Sequence, residues 1–182
     1  MLAPWSLLAA VTHVLGACAA AGTAVWLMPQ RSKLGSVGLA AVLALAISTS
    51  WAITAGATGT ESAGTYFSES LRNIAWLVVV WKLFGTDGRS SSIKAVRPLV
   101  FALAAVEIIA GSLLVILHRP LEGYLDEGQA FEMMVSFRLL FTIGGLVLLH
   151  NLYSGASNHA PLALRWPALA LAVLWAYDLN IY

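Results

Sequence analysis

Six long apolar runs fill most of this chain, and the five connections between them alternate in charge. The first, third and fifth connections hold Arg31, Lys33, Lys82, Arg89, Lys94, Arg97 and Arg165 against a single acid, Asp87. The second and fourth hold Glu61, Glu69, Glu122, Asp126, Glu127 and Glu132, with Arg119 the only base lying clear of a span. Lys and Arg are retained on the cytoplasmic side of a membrane, so the alternation fixes an orientation as well as a class. It predicts a multi-pass protein of the bacterial cytoplasmic (inner) membrane with its N-terminus outside.

Few architectures remain open to such a chain. A bilayer core about 30 Å thick takes about 20 helical residues, and the predicted spans are residues 5–28, 35–57, 67–84, 98–118, 131–153 and 163–182. They leave no room for a second domain, so residues 1–182 read as one transmembrane helical domain, an all-α polytopic bundle. The composition agrees: 59% of residues are hydrophobic and 10% charged, against roughly 25% charged in a soluble domain. A net charge of +1 with no basic arm excludes a nucleic-acid partner and leaves the lipid bilayer. The single cysteine, Cys18, excludes an internal disulfide and a multi-cysteine metal site. Set among alanines, it reads as a small buried packing residue.

The first run is a retained helix and not a signal peptide. Met1 to Trp5 carries no basic side chain, and the positive charges follow the run. Trp5 and Trp26 bracket it at about 31 Å of helical rise, the spacing of two interfacial belts. Its Gly16 to Gly22 stretch of small residues lets a neighbouring backbone approach closely. In the second span Ser48, Thr49, Ser50 and Thr54 can bond their own helix carbonyls, and residues 58–65 read as an exposed turn. Arg72 and Lys82, near the two ends of the third span, are long enough to snorkel toward head groups. Pro98 and Pro167 are expected in the first turns of spans four and six. Gly144-Gly145 marks a close-packing point in span five.

Charges at membrane depth are the candidate functional residues, since each costs about 2.5–3.5 kcal/mol at a helix centre unless paired or hydrated. Glu107 falls near the middle of span four, Arg138 about two turns below the outer surface in span five, and Asp178 about one turn below it in span six. Arg72 lies at a similar level in span three. Two acids and two bases can neutralise one another, as a structural clasp, a ligand-sensing or ion-linked site, or a proton pathway. Glu107 and Arg138 are near enough in depth to share a contact.

Other chemistry is absent from the sequence. His13, His118, His150 and His159 share no ligand-like spacing, and no phosphate-cradling glycine loop, nucleophile elbow or zinc-helix motif occurs. Catalytic, cofactor-binding and metal-ligating residues are therefore expected to be none. The tryptophans, Trp76 and Trp81 among them, read as lipid or helix contacts.

Two stretches resemble a known family. Ser70-Leu71-Arg72-Asn73-Ile74-Ala75-Trp76 through Leu83-Phe84 is similar to an early membrane helix of PrsK-type sensor histidine kinases, which are linked to PEP-CTERM/exosortase and exopolysaccharide systems. Arg138-Leu139-Leu140, then Leu148 to Tyr153, Arg165-Trp166 and Ala176-Tyr177-Asp178-Leu179 resemble later helices of the same region. His150 and Ser154 stand where that pattern has an acid and an arginine. The resemblance implies a sensory and anchoring region for a cytoplasmic kinase that uses ATP, dimerises through downstream regions and acts on a response regulator. The family's phosphoacceptor histidine, ATP-binding lobe and GAF-like region have no counterpart in these 182 residues. A chain ending directly after a helix is expected to be the N-terminal part of a longer protein. The rival readings are a transporter-like bundle with Glu107 as coupling carboxylate, and a non-enzymatic membrane assembly protein. The first would show broken helices and repeat symmetry, which the sequence lacks.

Overall fold

The computed structural model describes residues 4–30, 32–33, 35–60, 62–86, 90–117, 127–154 and 161–181. The Asp87–Arg89 part of the third connection lies outside the described residues, as do Arg31, Glu61, His118, Arg119, Pro120, Glu122, Asp126 and His159. The side chains of Trp5, Lys94, Glu127, Arg165 and Trp166 also lie outside them. Among the described residues every regular element is helical. The helices are α1 (Pro4–Leu27, followed by a 3₁₀ turn at Met28–Gln30), α2 (Gly35–Thr58), α3 (Ala63–Thr86), α4 (Ser90–Leu117), α5 (Glu127–Ser154) and α6 (Pro161–Ile181). The protein is all-α.

Its polarity is inverted relative to a soluble protein. Leu8, Val14, Leu15, Val25 and Trp26 on α1 are exposed, as are Ile53 on α2, Ile108 on α4 and Val173 on α6. Arg72, Glu107, Arg138 and Asp178 are buried, together with Thr65, Ser68, Glu69, Ser70 and Asn73. Water would reverse both choices, because exposed apolar area and buried charge are each unfavourable there. Hydrocarbon favours both. Residues Leu7–Gln30, Gly35–Thr58, Val96–Leu113 and Phe131–Ser154 are each long and apolar enough to cross a membrane, and Pro167–Leu179 is a shorter apolar helix.

The chain divides into two compact units, Met1–Val79 and Val80–Tyr182. In the first, α1 packs on α2, and the small residues Ala10, Ala17 and Ala21 of α1 face Thr49, Ala52 and Gly56 of α2 across an apolar groove. Without a hydrophobic drive between helices in lipid, such pairs hold by close van der Waals approach. Gly56 illustrates the limit, since a Cβ there would meet the His13 Cβ at 3.3 Å. Cys18 is exposed and not a buried packing residue. It lines the open edge of the groove between α1 and α2, beside Ala17 and Ala21.

The α2–α3 turn is tighter than residues 58–65 implied. Gly59 takes a left-handed φ of 87° and donates its N–H to the Ala55 carbonyl at 3.0 Å, closing α2. Ser62 caps α3 by accepting the Thr65 N–H at 3.2 Å, and the Thr65 hydroxyl donates to the Gly59 carbonyl at 2.7 Å. These bonds start α3 at Ala63 and bury Thr65. The hydroxyls of Ser48, Thr49 and Thr54 bond carbonyls one turn back at 2.8–2.9 Å, as the sequence implied.

In the second unit α5 packs against both α4 and α6. Pro98 and Pro167 lie inside α4 and α6, not in their first turns. Helical residues precede each of them. A proline ring is held at a helical φ and loses one hydrogen bond. Both prolines are exposed.

Candidate functional site

The buried charges are built separately in the two units. In the first, α3 places Arg72 with no exposed surface, and its guanidinium carbon lies 4.1 Å from the centroid of the Trp51 ring on α2. Arg72 therefore does not snorkel. Its Nη2 donates to Asn73 Oδ1 at 3.3 Å and stands 3.8 Å from Glu69 Oε1, one turn back on α3. Glu69, which the charge pattern assigns to the acidic second connection, is buried inside α3. Trp51 also meets the His13 ring of α1, with centroids 5.7 Å apart. Trp76 adds a second link between helices, its indole N–H donating to Ser48 Oγ at 3.0 Å.

In the second unit Glu107 of α4 and Arg138 of α5 meet at 3.9 Å between Oε1 and Nη1, with side chains 0% and 1% exposed. That distance is an ion pair and exceeds hydrogen-bond length. At an effective dielectric near 20, opposite charges at this range attract by about 4 kcal/mol. Desolvation costs several kcal/mol per ion, so the pair fixes geometry more than it adds stability. Thr142, one turn on, donates its hydroxyl to the Arg138 carbonyl at 2.9 Å.

Asp178 on α6 is buried. Its level follows from Trp175, which meets the Phe141 ring edge-on at 6.1 Å and closes on Gly145. Positions 155–160 are too few to carry the chain back along α6, so α5 and α6 run antiparallel. Three residues beyond Trp175 on α6, and three before Phe141 on α5, are each about 4.5 Å away in the same direction. Asp178 therefore shares the level of Arg138. Trp51, Glu69 and Trp175 were not singled out from the sequence; an aromatic one level from a buried arginine is a signal only once the helices are registered.

Among the described residues no three His, Cys, Asp or Glu side chains come together as metal ligands. The buried groups are carboxylates, guanidiniums, amides and hydroxyls locked on one another, an arrangement suited to holding or switching helix packing. Compared with protein-family models, with curated proteins and with solved structures, the chain matches none.

Proposed function

We propose that this chain is the sensory and anchoring region of a bacterial sensor histidine kinase, crossing the inner membrane six times with its N-terminus outside. In this reading it carries an envelope or lipid-borne cue, through an odd number of further spans, to a cytoplasmic kinase encoded downstream. That kinase would use ATP, dimerise through its own helices and phosphorylate a response regulator. The observation that carries the reading is the fully buried Glu107–Arg138 pair at 3.9 Å, a polar lock inside an apolar helical unit. The resemblance of the Arg72 and Arg138–Asp178 segments to PrsK-type kinases supports it, and so does the alternation of charge along the chain. A cue then needs only a differential interaction with two packings of the helices.

The test is autophosphorylation of the full-length protein in nanodiscs, comparing wild type with Asp178→Asn and Arg72→Gln. A shift of 1.4 kcal/mol between two packings changes their ratio about tenfold, so altered kinase output at that scale is expected from folded variants. Unchanged output in both folded variants leaves the charges as a structural clasp. A full-length protein without kinase activity removes the assignment.

A further inference from the structure

Two adjacent glycines on α5 each carry a different helix. A Cβ on Gly144 would overlap Cδ2 of Leu103 on α4 and come within 3.2 Å of its Cδ1. A Cβ on Gly145 would lie 3.0 Å from Cε3 and Cζ3 of Trp175 on α6. Leu103 and Trp175 are both buried, so α4 and α6 rest on bare α5 backbone at consecutive residues. Side-chain knobs make packed helices move in discrete steps. Glycine backbone removes the knob.

The polar groups lie within two turns of this step. Glu107 is one turn beyond Leu103 on the same face of α4, and Asp178 is one turn beyond Trp175 on α6. Arg138, Phe141 and Gly145 share one face of α5 at i, i+3 and i+7. The Glu107–Arg138 separation of 3.9 Å is about 1 Å longer than a charge-assisted hydrogen bond. A slide of α4 smaller than the 1.5 Å rise of one residue would close or open it.

We propose that the Gly144–Gly145 step is a bearing on which α4 and α6 shift along α5, coupling the Glu107–Arg138 separation to the seating of Trp175. It supplies the moving part of the sensory role proposed above and rests on that reading for its purpose alone. Substituting Gly144 acts on α4, and substituting Gly145 acts on α6.

The experiment labels the protein with 5-fluorotryptophan in nanodiscs and assigns the Trp175 ¹⁹F resonance by its loss in Trp175→Phe. Glu107→Gln and Gly144→Ala, neither of which changes α6, are each expected to shift or split that resonance. Adding Leu103→Ala to Gly144→Ala restores the room and returns the resonance toward its wild-type position. Gly145→Ala crowds Trp175 off its seat on the glycine, so Glu107→Gln made in that background no longer moves it. Should Gly144→Ala not fold, Glu107→Gln with and without Gly145→Ala carries the test. An unmoved Trp175 resonance in folded Glu107→Gln overturns the bearing, and so does an undiminished response in the Gly145→Ala background. A moved resonance with unchanged autophosphorylation supports the bearing and overturns the sensory reading, which separates the two.

Discussion

Arg138→Met is expected to destabilise the protein by about 3–5 kcal/mol, because it strands a buried carboxylate without its counter-charge. Glu107 has no exposed surface and cannot turn to water or a head group. Glu107→Gln removes the charge and keeps the shape. The double variant Glu107→Gln with Arg138→Met is therefore expected to recover a large part of the loss, giving a coupling energy on the order of 1–3 kcal/mol. Thermal unfolding in a mild detergent, run on all four members of the cycle, measures it. Additive losses would mean that the 3.9 Å contact carries no coupling.

Arg72→Met is the second large loss, expected at about 3 kcal/mol or more. A desolvated cation over a tryptophan face contributes about 2 kcal/mol, and Glu69, 3.8 Å away and buried, loses its counter-charge as well. Arg72→Lys separates the two contributions. Lysine keeps the charge near Glu69 but cannot lay a planar guanidinium on the Trp51 ring 4.1 Å away. It should recover part of the stability, and Trp51→Leu should reproduce the remaining deficit in wild-type Arg72. Full recovery by lysine would leave the ring contact without energetic weight.

The helices were legible in the sequence because hydrocarbon imposes one rule on every span, long apolar runs punctuated by charge. Their ends were less so. Thr65 reads as turn residue by composition, and only the hydroxyl bonds of Ser62 and Thr65 to the turn draw it into α3. Pro98 and Pro167 read as first-turn residues, yet helix geometry continues before them, since proline forbids a hydrogen bond and not a helical φ. Depth along the chain brought Glu107 and Arg138 together, because helical rise converts residue number into height. It could not give rotation about the helix axis. Rotation decides that Arg72 turns inward onto Trp51 instead of outward to lipid head groups, and that Cys18 stays exposed at the edge of the α1–α2 groove.

Impermeant thiol labelling in a Cys18→Ser background tests the membrane arrangement most directly, with Ser91→Cys on the basic side and Gly123→Cys on the acidic side. In intact spheroplasts Gly123→Cys is expected to label and Ser91→Cys to stay protected until the membrane is permeabilised. The opposite pattern, Ser91→Cys labelled and Gly123→Cys silent, would contradict the orientation drawn from the alternating charges. Labelling of both positions before permeabilisation would contradict the membrane crossing between them.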